Sequence, residues 1–158
     1  MRPASLGLAG LLLFPAGAAQ AAAWTVRGEA GPTLATRGPE AVGATGRAGL
    51  ELGLGSFSAL QATAGMEWTE GRGGVEAQLG PILRLDVTRW IPFADLGVGI
   101  GGPLERPGFR MRGGIGVDYA YSPDGRVGFA LRARGTFRTP DAPPAFELVL
   151  RLSRRLGL

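Results

Sequence analysis

Carboxylates and arginines are the residues with chemistry to offer in this chain, and neither histidine nor cysteine accompanies them. All 17 basic residues are arginine. Ser-His and Cys-His nucleophile pairs therefore cannot be assembled, and neither can the usual nitrogen and sulfur zinc sites. Glu51, Glu67 and Asp95 fall on the polar face of their segments and are of the right type for an acid/base pair. Arginines share that face in near-equal number, so structural ion pairing is the better reading. Gly97, Gly99 and Gly102 match the spacing of a dinucleotide fingerprint, but Pro103 follows and no helical pattern begins, so they read as strand glycines. No catalytic residue, metal ligand or cofactor is expected.

The elements that hold these charges are strands. From Trp24 onward apolar residues recur at every second position, and period two is the signature of a half-buried strand. About eight such segments follow one another: 24–31, 46–54, 57–69, 75–87, 91–101, 108–119, 126–138 and 145–153. Turn signals such as Gly55-Ser56 and Ser122-Pro123-Asp124-Gly125 separate them. Most run longer than the usual strand of ~5–6 residues and match the ~9–11 tilted residues that cross a bilayer. The connections after the first, third, fifth and seventh segments read longer than the others, which predicts a meander with two unlike rims. Pro81 removes a ladder donor in the middle of the fourth segment, and predicts a bulge or an interruption there.

Alternation alone does not say which face points inward. An apolar interior would make a soluble lipocalin-like barrel carrying an apolar ligand. A polar interior would make a membrane barrel. The polar face carries Arg27, Arg47, Arg84, Arg110, Arg112, Arg126, Arg132, Arg134 and Arg151 against Glu29, Glu51, Glu67, Glu76, Asp86, Asp95, Asp118 and Glu147. Toward lipid each arginine would cost ~2–4 kcal/mol at the midplane, whereas inside a barrel the two signs can pair. Many of the 28 glycines also lie on this face. In a narrow barrel small residues beside large ones let long side chains fit. Aromatic residues of the other face gather at strand ends, Trp68, Phe109, Phe137 and Phe146 toward the long connections and Trp24, Tyr119 and the turn residue Trp90 toward the short ones. That is a two-girdle pattern. All three observations favour charge inside and apolar residues outside.

On this pattern, and on stretches such as Ile91-Pro92-Phe93-Ala94-Asp95-Leu96-Gly97-Val98-Gly99, the chain resembles the small eight-stranded outer-membrane β-barrel family, which includes the transmembrane domain of OmpA and the OmpX-like proteins. The resemblance implies an all-β, antiparallel up-and-down transmembrane barrel with both termini in the periplasm, touching outer-membrane lipid and lipopolysaccharide and inserted by the barrel-assembly machinery. It implies a structural or envelope role. Outer-membrane enzymes of this size class, the lipid A deacylases and palmitoyltransferases, rely on a histidine that this chain lacks. Family members end on an aromatic residue, whereas this chain ends Arg154-Arg155-Leu156-Gly157-Leu158, where Arg154 breaks an otherwise apolar outward row.

The ends and the composition complete the expectations. Met1-Arg2, an apolar run from Leu6 to Phe14 and the small residues up to Ala21 read as a secretory signal peptide over 1–21, leaving 22–158 as one barrel domain. The apolar run is too short for the ~20 residues of a spanning helix. The formal net charge of +4 is spread as alternating signs and forms no basic patch, which argues against nucleic acid as a partner. Arg37, Arg72, Arg106 and Arg138 fall one to each long connection and are of the type that contacts lipopolysaccharide phosphates, although Glu40, Glu70, Glu105 and Asp141 neutralise them. These connections are short for a surface adhesin.

Overall fold

The computed structural model describes residues 23–36, 42–69, 72–103, 107–137 and 144–157, with only the backbone of Thr69, Arg72 and Phe137. The expected signal peptide, the rim residues Arg37, Glu40, Glu70, Glu105, Arg106, Arg138 and Asp141, and the side chains of Arg72 and Phe137 lie outside the described residues. Eight strands follow in order: β1 Trp24–Ala35, β2 Val42–Gly53, β3 Ser58–Thr69, β4 Arg72–Arg84, β5 Trp90–Pro103, β6 Gly108–Ala120, β7 Gly125–Phe137 and β8 Ala145–Arg155. Each pairs antiparallel with the next, and β8 returns to β1, closing the sheet. Closure leaves no edge strand.

Several strand ends move by a few residues from the sequence expectation, and three departures have a local reason. The first strand continues past Gly31 to Ala35, and Pro32, a residue that normally ends a strand, lies inside it. Its ladder to β2 is continuous, with Pro32 opposite Ala44, while the ladder to β8 skips Gly31 and Pro32. Pro81 behaves in the same way. It pairs with Leu60 of β3, and only the ladder to β5 skips Gly80 and Pro81, resuming in unchanged register at Ile82 opposite Asp95. There is neither an inserted residue nor a break in the strand, so the expected bulge is absent. A shared Gly-Pro dipeptide explains the tolerance. A Cβ on Gly31 would stand 1.9 Å from the Leu148 carbonyl oxygen, and one on Gly80 would stand 2.0 Å from that of Leu96. Glycine thus lets the neighbouring backbone close in beside the missing donor.

The third difference is the segment 70–74, expected as a loop. β3 ends at Thr69 and β4 begins at Arg72, so Gly73 and Gly74 are strand residues and this connection is tight. Long and short connections therefore do not strictly alternate. Gly74 lies opposite Glu67, whose Cγ would be 2.9 Å from an added Cβ. What resembles loop glycine is space for a carboxylate side chain.

Side-chain direction follows the alternation throughout. Buried side chains are chiefly charged or polar, among them Arg27, Arg112, Arg132, Arg151 and Glu147, each at most 2% exposed. A small apolar cluster of Ala59, Ile82, Phe93, Ala130 and Val149 shares the bore. The outer wall carries the large apolar residues, including Leu50, Met66, Leu79, Ile115, Phe129, Leu131 and Leu150. An inward apolar face of the kind a lipocalin-like carrier needs is not formed, because the period-two rows that would line it point outward.

Candidate functional site

The bore is organised as tiers of ion pairs, many of which join strands not adjacent in the sheet. Toward the β3–β4 hairpin, Glu67 of β3 accepts two hydrogen bonds from Arg110 of β6, at 2.7 and 2.6 Å, and one from Arg134 of β7, the strand opposite. Paired nitrogen donors on one carboxylate form the fork geometry that makes arginine the residue of choice here. Next, Arg47 of β2 donates to Glu76 of β4 and, at 2.7 Å, to Glu147 of β8. Arg134 also lies 3.4 Å from Glu147, linking the two tiers.

Arg132 of β7 holds the middle. Its guanidinium donates to both oxygens of Glu29 on β1 and, at 2.6 and 3.1 Å, to Asp95 on β5. Below it Glu51 of β2 accepts from Arg27 at 2.6 Å, from Arg151 at 3.2 Å and from Arg84. Arg27 and Arg151 also approach Glu29, at 3.0 and 3.3 Å, and Arg151 lies 3.7 Å from Asp118. The Arg151 guanidinium stacks 3.8 Å above the Phe93 ring, where the ring face attracts the cation.

Two residues of the expected set stand apart from these tiers. Asp86 lies beyond the end of β4, in the turn, and pairs at 2.6 Å with Arg126 at the partly exposed mouth. Its alternation placed it on the inward face, but the strand ends at Arg84 before that face is enclosed. Arg112 is inside, yet none of its three guanidinium nitrogens has a hydrogen bond, and its ion-pair partner, Glu76, is 3.9 Å away. At the same mouth a cavity of about 150 Å³ is lined by Thr25, Glu51, Ser56, Arg84, Arg126 and Arg155 among others.

How the sheet makes room for so many arginines is visible in the register. Arg27 lies opposite Gly49, Arg47 opposite Gly65, Arg110 opposite Gly99, Arg112 opposite Gly97, Arg132 opposite Gly114 and Arg151 opposite Gly128. A Cβ on Gly114 would stand 2.3 Å from Arg132 Cγ, and one on Gly65 would stand 2.7 Å from Arg47 Cγ. The glycine is the space its partner's methylene stem crosses.

On the outer wall the aromatic residues take two levels. Trp24, Trp90 and Tyr119 lie toward the turns that follow β2, β4 and β6, with the Trp90 and Tyr119 rings 4.9 Å apart. Trp90 is the first residue of β5 and not a turn residue. Trp68, Phe109 and Phe146 lie at the other end, where the backbone of Phe137 pairs with Phe109. Phe57 and Tyr121, exposed at the turn end, join the first level; Phe57, expected as the first residue of the third segment, precedes β3, which begins at Ser58, and Tyr121 lies in the turn after β6.

No protein-family model matches the chain, and no curated protein matches it in sequence. Solved structures do resemble it. The crystal structure of Neisserial surface protein A superposes with a TM-score of 0.68 at 13% identity, covering 84% of this chain and 97% of that one. The N-terminal β-barrel domain of Pseudomonas aeruginosa OprF gives 0.61 at 13% identity, with 84% and 97% covered. The outer-membrane enzyme PagL gives 0.52 at 19% identity, with 84% and 99% covered. Closure, strand number and these superpositions agree that the chain has the fold of the small eight-stranded outer-membrane β-barrels.

Proposed function

We propose that this protein is an integral outer-membrane barrel whose bore is filled by its ion-pair tiers and whose role is structural, contributing to the envelope rather than catalysing a reaction or conducting solutes. The observation that carries this reading is the inverted polarity: arginines and carboxylates buried inside, large apolar side chains exposed outside along all eight strands. An outer face of that composition in water would far exceed the few hundred Å² of contiguous apolar patch usual on a soluble monomer. In lipid it is the solvent-matched surface. The barrel-assembly machinery is the partner that would insert it.

A filled bore is supported by pairs that connect β3 to β7 and β5 to β7 through the interior, since side chains meeting across the axis occupy the path a solute would take. Eight strands leave an interior just wide enough for such filling. A catalytic role would need an activated nucleophile or an acid/base group free of arginine, and Glu51, Glu67 and Asp95 are each bound to at least one guanidinium.

Two measurements test this. After a carbonate or urea wash the protein is expected to remain in the outer-membrane fraction, and its gel mobility in detergent to shift on boiling. Recovery in the soluble fraction would overturn the membrane reading. In planar bilayers the purified barrel is expected to show no steady ion conductance, and open channels of constant amplitude would refute the filled bore.

A further inference from the structure

One outward residue departs from the apolar row of β8. Phe146, Leu148, Leu150 and Leu152 face out, then Arg154, then Leu156. Arg154 is exposed, and among the described residues no carboxylate pairs with it, including nearby Asp124 on the β6–β7 turn. Its cross-strand partners are Val26 on β1 and Gly125 on β7. Neither competes for the guanidinium.

Gly125 is covered from outside by Tyr121. A Cβ on Gly125 would stand 2.4 Å from Tyr121 Cζ and 2.5 Å from the phenolic oxygen, so the hydroxyl end of the ring rests on this glycine. The backbone pins that placement, with the amides of Tyr121 and Ser122 both donating to the Gly125 carbonyl at 3.2 and 3.3 Å. Directly opposed residues of antiparallel strands lie ~4.5–5.5 Å apart, which sets the tyrosine hydroxyl beside the base of Arg154. On the other flank the Leu156 amide donates to the Trp24 carbonyl at 2.8 Å, placing half-exposed Trp24 next in the outer row.

An unpaired arginine on a lipid-facing row, at the level of Trp24 and Tyr121, has one chemically matched neighbour, an anionic oxygen at headgroup depth. The guanidinium forks onto phosphate oxygens, the phenol donates one more hydrogen bond, and the tryptophan ring sits where one end is apolar and the other wet. We propose that Arg154 and Tyr121 form a lipid-phosphate site on the outer wall at the turn end, holding the phosphodiester of a membrane phospholipid and fixing the depth of the barrel. The site rests on the membrane reading above.

The test is native mass spectrometry of the detergent-purified barrel titrated with dioleoylphosphatidylglycerol. The unaltered protein is expected to retain a phospholipid that Arg154→Gln holds about fivefold more weakly, the effect of one arginine near a lipid surface. Arg154→Lys should fall between them, since it keeps the charge and loses the fork. Tyr121→Phe should weaken retention without altering heat-shifted mobility. Equal retention by the unaltered protein and Arg154→Gln would overturn the site. So would full competition by inorganic phosphate, which would make it a free-anion site, or an Arg154-dependent dimer with unchanged lipid retention, which would assign the surface to a second copy. These failures are separable from failure of the membrane reading, because a protein lost in the carbonate wash refutes that reading, whereas a retained, heat-shifted barrel indifferent to Arg154→Gln refutes this site alone.

Discussion

Replacing Arg132 by methionine is expected to destabilise the barrel by about 3–5 kcal/mol, the usual cost of removing one partner from a buried ion pair. The single guanidinium neutralises Glu29 and Asp95 together, and with it gone both carboxylates remain in the bore without their main donor. Urea unfolding in detergent, followed through the fluorescence of Trp24, Trp68 and Trp90, measures the loss. A variant that also carries Glu29→Gln and Asp95→Asn should recover most of it, because the penalty lies in the stranded charges and the three substitutions are coupled. Arg112→Met supplies the contrast. Its guanidinium is equally buried but makes no hydrogen bond, so its removal should be neutral or stabilising. If the Arg132 and Arg112 variants changed stability by the same amount, the pairing would not be what holds the bore together.

The second large effect lies on the outer wall. Leu131→Arg, in mid-β7, should cost about 2–4 kcal/mol when the protein is unfolded from lipid vesicles, whereas Val127→Arg, two outward positions nearer the turn, should cost about 0–1 kcal/mol. Both residues are exposed and lie on the same strand and face. The ratio between them therefore reads depth in the bilayer. In water either change would stay within about 0.5 kcal/mol, as surface substitutions do, so near-equal small values would contradict a lipid-facing wall.

The sequence was legible where a single strand decides the outcome. Alternation located all eight strands and the face of nearly every charge, because side-chain direction in a strand depends only on odd or even position. Features involving two strands were harder to read. Gly31 reads as a strand end and the 73–74 glycine pair as loop because the neighbour that fills the space beside each, the Leu148 carbonyl at Gly31 or the Glu67 side chain at Gly74, is remote in sequence or lies across the turn. Asp86 has the correct parity, but its strand stops too soon for parity to matter. Which carboxylate meets which arginine was illegible altogether. Arg47 and Glu147, or Arg132 and Glu29, are about a hundred positions apart and are brought together only by closure of the barrel. The inward apolar cluster around Ile82 and Val149 was likewise hidden, since these residues sit on rows read as polar.

The facing of arginine by glycine also bears on how the chain finds its own pairing. A strand that slips by two residues keeps its faces and so escapes the usual penalty for misregistration. Here such a slip meets a second check. Moving β1 along β2 would bring Arg27 opposite Arg47 in one direction, and moving β8 along β7 would bring Arg151 opposite Arg126, in each case two cations facing each other where the native register sets a glycine opposite one stem. The row Gly97, Gly99, Gly101 on β5 lacks this check, since a shifted Arg110 meets glycine either way. Side-chain bulk thus gives these two seams an address and leaves β5–β6 to be aligned by its neighbours, which makes that seam a place where an assembling barrel can slide before it locks.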